Sequence, residues 1–275
     1  MFKKILVALD PARDLQPARQ YALDLVNKWG SSVVALYTVF EEAAPFKASN
    51  AVGVKPKTFV GNKVVEGFEN DLKRECNGMV QCSTFVEEGP YEVTIPSVAA
   101  REGVDLVVLG SFHTRTERRF VGSDIERVIE YSPCSVMVVR NPSKVPEPGT
   151  LVVFAHDNAI LSAEPVHWLT EYAKAAGTVV QPVIGVPPRD LDAGRKLADG
   201  LEKELVTSGI ESVPPQVLTS RWILGPHGVV HRAVSGLHPS MTVIARLNDV
   251  VQGNASHWLI HEFIADTPCP TLVLK

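Results

Sequence analysis

Residues 110–123, GSFHTRTERRFVGS, concentrate more candidate chemistry than any other stretch of this chain. Gly110 opens the segment and Gly122-Ser123 close it. That is the outline of a loop whose backbone N–H groups approach phosphate oxygens before a helix start adds its positive end. The interior departs from the outline, with His113, Arg115, Glu117, Arg118 and Arg119 where a phosphate cradle uses glycine. Guanidinium groups bind phosphate bidentately, so the arginines could replace lost backbone contacts. The plainer reading is a solvated charged face. Two histidine pairs at i, i+4, His227/His231 and His257/His261, have the spacing of metal ligands on one helix face. Neither is completed by a sequence-local carboxylate or cysteine, so both read as scattered surface or capping histidines. There is no Walker sequence, GxSxG elbow, HExxH or adjacent catalytic triad.

The elements that must carry these residues occur twice. An apolar run, KKILVALD, ends in Asp10, and a second, TLVVFAHD, ends in Asp157. Between them lies NPSKVPEP (141–148), with three prolines in eight residues, which reads as a linker. Gly30 and Gly177 each follow the aspartate by twenty residues. Val39 and Val186, Gly89-Pro90 and Gly225-Pro226, and Pro133-Cys134 and Pro268-Cys269 then recur in order. The offset is 147 through Val39, 136 at Gly-Pro and 135 at Pro-Cys. This places eleven extra residues before Gly89 and one more in the loop after Gly110. On that count the mate of Gly110 is Arg246, and Gly122-Ser123 become His257-Trp258.

Within each half, strands alternate with helices. Runs such as DLVVLG (105–110) read as strands buried on both faces. Pro17 suits a first helical turn, and Ala18, Tyr21, Ala22, Leu25, Val26 and Trp29 follow at helical spacing until Gly30. Residues 92–102 predict another helix, with Pro96 in its first turn or kinking it. The expected fold is α/β, two tandem doubly wound parallel-sheet domains related by duplication. The domains are 1–140 and 149–275, joined by the 141–148 linker.

At 275 residues, 45% apolar and 21% charged, the chain can bury a full core. A net charge of −4 offers no attraction to nucleic acid or an acidic membrane surface. The apolar run before Asp10 is too short for a signal peptide, and no later run would span a bilayer. Cys76, Cys82, Cys134 and Cys269 form no CxxC pair, which fits idle thiols in a reducing cytoplasm.

These landmarks, in this order and repeated once, resemble the universal stress protein family in its tandem form. The resemblance covers nearly all of both halves and rests on the strand-end aspartate, the Gly-Pro turn, VDLVVLGS, the Gly-Ser before a helix, and SPCSVMVV. It implies Rossmann-like domains of the adenine nucleotide alpha hydrolase type. It further implies an ATP or AMP site in the first half built from Asp10, Val39, Gly110, Gly122 and Ser123, with His113 and Arg115 in the same loop. The family pattern has a second glycine where this chain has His113, and a loop one residue longer.

Two main functional readings follow, with a third behind them. One is a cytoplasmic, non-enzymatic stress-response protein whose first half holds an adenine nucleotide that biases contacts with a protein partner. The other is a nucleotide-free interaction scaffold. An enzyme with a metal or anion site in the second half is the third and weakest, because no positioned base and metal-binding carboxylate pair supports phosphoryl transfer. In the second half an Arg246–Asp157 ion pair is expected to fill the vacated site. A small anion held by Arg246 with the histidines His156, His227 and His257, or a divalent metal held by those histidines with Asp157, competes with it. The terminal strands SVMVV (135–139) and TLVL (271–274) would leave open sheet edges; the resemblance implies that such strands pair across a two-fold axis, which the duplication lets the chain do internally, antiparallel. Further homodimerisation stays open.

Overall fold

The structure is a computed structural model. It describes residues 2–9, 17–39, 57–76, 80–110, 122–140, 144–158, 161–219, 225–245, 255–266 and 269–275. At 57–59, 122–123, 255–258 and 265–266 the backbone alone is described.

The first half runs β1 (Lys4–Leu9), α1 (Pro17–Trp29), β2 (Ser32–Val39), α2 (Lys57–Glu75), β3 (Cys82–Glu88), α3 (Tyr91–Glu102), β4 (Leu106–Gly110), α4 (Gly122–Tyr131) and β5 (Ser135–Val139). The second repeats it: β6 (Leu151–His156), α5 (Ala163–Ala176), β7 (Val179–Val186), α6 (Leu191–Thr207), β8 (Gln216–Thr219), α7 (Gly225–Leu237), β9 (Met241–Ala245), α8 (Ala255–Asp266) and β10 (Thr271–Leu274). A short 3₁₀ turn, Pro188–Asp190, precedes α6. The strands form one sheet ordered β3-β2-β1-β4-β5-β10-β9-β6-β7-β8. Pairing is parallel inside each half and antiparallel only between β5 and β10. The terminal strands therefore close each other's edges within the chain, as their sequences require.

The strands are near-continuous apolar runs because both faces are covered. All five residues of β4 are buried. Leu106 and Val108 join the core under α1, α2, α5 and α6, while Val107 and Leu109 join the one under α3, α4, α7 and α8. α1 spans the expected residues and stops at Gly30, whose φ of 67° suits a residue without a Cβ. α3 begins at Tyr91, so Pro96 is its sixth residue, past the first turn where a proline costs nothing.

Register locates the axis relating the halves. Met137 faces Leu272 across the seam, and these are repeat mates 135 apart. A second pair of mates at this spacing, Glu126 of α4 and His261 of α8, meets in a hydrogen bond across the same axis. In a dimer of identical domains each would meet its own kind. Duplication has let the two copies become complementary.

The register also corrects the repeat alignment. Leu106 pairs with Ile5, and Met241 pairs with Val152, the mate of Ile5. Gly103 and His238, both with positive φ, end α3 and α7. The offset has therefore reached 135 before β4, and the one-residue difference lies inside the helix, not in the loop after Gly110. Ala245, which pairs with Leu274 as Gly110 pairs with Val139, is the true mate of Gly110. Arg246 comes one residue later.

Candidate functional site: a strand-end crevice in each half

Strand order reverses between β1 and β4, and again between β6 and β9. At such switch points the connections leave in opposite directions and open a crevice beyond the carboxyl ends of the strands. In the first half β2 delivers Val39 to this edge and β4 delivers Gly110. α4 starts at Gly122-Ser123, so the positive end of its dipole lies at the start of the helix leaving the loop after β4. Val39 is nearly buried, with 7% of its surface exposed, and its carbonyl accepts a hydrogen bond from Gly89 N–H at 3.0 Å. That bond docks the Gly-Pro turn on the end of β2. Gly89 is needed there: its φ is 140°, and a Cβ would meet Thr94 Oγ1 at 2.8 Å. Arg127 of α4 pairs with Glu92 of α3 at 3.4 Å, joining the two helices that flank the crevice. Asp10, which follows β1 in sequence, and His113, Arg115, Arg118 and Arg119 lie outside the described residues. Of the expected nucleotide set, the structure therefore places Val39, Gly110 and the backbone of Gly122 and Ser123.

The second crevice is built on the same frame with different contents. Asp157 follows β6, is 3% exposed, and among the described residues neither of its carboxylate oxygens has a hydrogen-bond partner. Burial pushes its carboxyl up to about 7, and its own backbone N–H opposes the shift without reaching hydrogen-bond geometry. His156 is buried beside it and stacks on Phe154, ring centres 6.0 Å apart. Arg246 lies outside the described residues, so the expected ion pair with Asp157 is not placed. His227 sits in the first turn of α7, and only the backbone of His257 is described. His231 instead packs its ring edge-on against Phe263, with Nε2 buried and without a partner among the described residues. No group of three or more His, Cys, Asp or Glu among the described residues is placed to hold a metal ion.

The second half also holds a close approach at a residue that sequence reading passed over. Gly185 in β7 is the mate of Thr38 in β2. A Cβ on Gly185 would lie 2.5 Å from the carbonyl oxygen of Pro226 and 2.6 Å from Val230 Cγ2. Thr38 carries a side chain at that place, so α7 comes closer to β7 than α3 comes to β2. Val186, the mate of Val39, is fully buried on the opposite face of the sheet, where a Cβ on Gly194 of α6 would lie 2.9 Å from its Cγ2. The signal was a glycine inside an apolar strand, a mark of close backbone approach.

The sequence model of the universal stress protein family matches residues 1–140. The chain belongs to the universal stress protein family. A universal stress protein of Methanothermobacter thermautotrophicus is 31% identical over 143 residues, which cover 51% of this chain and 97% of that one. One from Synechocystis is 32% identical over 140 residues, 50% of this chain and 86% of the relative. Over the full length, the crystal structure of a universal stress protein from Archaeoglobus fulgidus aligns with a TM-score of 0.70 at 15% identity, covering 99% of this chain and 96% of that one. That match establishes the two-half architecture as a shared fold.

Proposed function

We propose that this protein is a non-enzymatic stress-response component whose first half binds an adenine nucleotide, ATP or AMP, as a regulatory ligand, and whose second half does not. The two domains of this reading are residues 1–140 and 149–275. The observation that carries it is the unequal pair of crevices. The first keeps Val39, Gly110 and a glycine helix start at the switch point, whereas Gly185 lets α7 close on β7 in the second. In the first half Asp10 would accept a hydrogen bond from the nucleoside, and Val39 would lie against the base. The N–H groups at Gly122-Ser123 would face phosphate, with Arg115 adding charge. Occupancy would bias contacts with a protein partner rather than drive turnover. Four free thiols suit the cytoplasm this reading implies.

Calorimetric titration with ATP and AMP tests the proposal. Binding to the first half should be lost in Gly122→Val, which sets a branched side chain against the phosphates. If affinity is unchanged by that substitution, phosphate does not bind at this loop. His113 in place of the family's glycine favours the nucleotide-free scaffold as second reading. Mass spectrometry of small molecules released from freshly purified protein separates the two, because co-purified nucleotide excludes the scaffold.

A further inference from the structure

The duplication builds two grooves at the seam, one on each side of the axis, from walls that are repeat mates. At one, Pro239, Ser240, Cys269 and Pro270 form the starts of β9 and β10, and the linker segment Lys144–Glu147 lies along them. Val145 and Pro146 are buried there, Val145 as part of the core, and the Lys28 ammonium donates to the carbonyl of Pro146. The space left is about 450 Å³. At the other groove the mates Val104, Asp105, Cys134 and Ser135 form the same wall at β4 and β5. The outer face of α5 stands opposite, and the space is about 820 Å³.

The chain has one linker, so it can fill only one of the two. A pair of mates on the facing helices registers the difference. Tyr21 of α1 is fully buried, while Trp168 of α5 is partly exposed. The Trp168 indole is nonetheless held rigid, stacked on Tyr172 at 5.1 Å and against Phe2 at 5.5 Å. It is an ordered aromatic surface turned to the groove. The rim is acidic. Asp105 is already engaged by the backbone N–H groups of Lys3 and Lys4, whereas Glu164 and Glu171 are exposed on α5, Glu171 3.9 Å from the Lys174 ammonium, with Lys275 on the far side. Lys275 in turn donates to the carbonyl of Pro133 at 2.9 Å.

We propose that this second groove docks an extended, proline-containing basic segment of a partner protein, on the path that Lys144–Glu147 takes at the first. A proline-containing segment is already extended, so it loses little entropy on docking, and an aromatic wall suits its ring. A lysine or arginine in the segment would meet Glu164 and Glu171, which sets orientation and selects against acidic partners. Nucleotide binding in the first half is not required.

The test uses the full chain and a fluorescein-labelled peptide of the linker's own sequence, RNPSKVPEP. Titration at low salt should give saturable anisotropy and should shift the Trp168 indole N–H resonance, assigned with Trp168→Phe. Glu171→Lys and Glu164→Lys lie on the exposed face of α5, and each should weaken binding by roughly three- to tenfold. A peptide with its lysine changed to glutamate should bind the wild type poorly and recover on Glu171→Lys. Several outcomes overturn the proposal: no saturation at millimolar peptide, binding that leaves the Trp168 indole unmoved, or affinity indifferent to both charge reversals. A shift confined to Lys28 and Trp29 would mean that the peptide only displaces the linker. Protection of Trp168 that grows with a dimer's mass would make the occupant a second copy.

Discussion

Val39 and Val186 stand at the same strand end in two copies of one fold, yet one keeps a trace of exposed surface and the other none. Beside Val186, Asp157 is sealed without a partner among the described residues, and α7 presses on β7 at Gly185, where the lack of a side chain allows it. The difference shows how two copies of one fold can pack the same strand ends unequally. A small residue lets a helix settle onto the sheet, and the buried carboxyl nearby has no group among the described residues to balance a charge on it.

The largest expected effect follows from that charge. The folded-state pKa of Asp157 is about 7, above the ordinary 3.8 of the unfolded chain. Between these values the folded protein holds a proton that the unfolded chain has released, so this group makes stability fall as pH rises from about 4 to 7. Above 7 both states are ionised and the effect levels off, with a full span of about 4 kcal/mol. Denaturant unfolding across that range should show the decline, and Asp157→Asn should flatten it. If the variant's pH profile parallels the wild type's, the carboxyl is not buried unpaired.

Next comes the close approach. Gly185→Thr installs the residue of the first half in the second and must push Pro226 away, at a cost of about 3 kcal/mol. The reciprocal Thr38→Gly should cost only about 1 kcal/mol, the ordinary penalty of glycine in a strand. Equal losses in thermal unfolding would mean that the halves pack alike. A smaller effect should distinguish the aspartates in ligand binding. Asp10→Ala should weaken ATP by about 1–3 kcal/mol in calorimetry, whereas Asp157→Ala should leave its affinity unchanged. The smallest concerns the seam. Glu126→His or His261→Glu alone sets like residues face to face across the axis and should cost about 1 kcal/mol. The double exchange should recover most of it, because the pair is restored in reverse.

Much of this was legible in the chain. Apolar runs at matching offsets announced the duplication, and strand–helix alternation announced parallel sheets, because both rest on neighbours within a few residues. The cost of an open edge called for a partner for SVMVV and TLVL, and the family resemblance pointed to their pairing with each other. The crevice positions were legible only where a landmark residue ends a strand, as Val39 and Gly110 do. The slip between the repeats was misplaced because α3 and α7 carry no sharp landmark between their Gly-Pro turns and their ends. Only strand register showed that Ala245, not Arg246, corresponds to Gly110.

The sequence by itself determined that the chain is two copies of one alternating pattern with a proline-rich joint, since propensity and periodicity act locally. Tertiary structure decided which mates meet. Met137 against Leu272, Glu126 against His261, the linker over one groove and Trp168 bordering the other all join residues that share no local signal. Their meeting is set by where the axis falls when two sheets join edge to edge. That position is chosen by hydrogen-bond register and packing over the whole seam, a sum that no window of sequence contains.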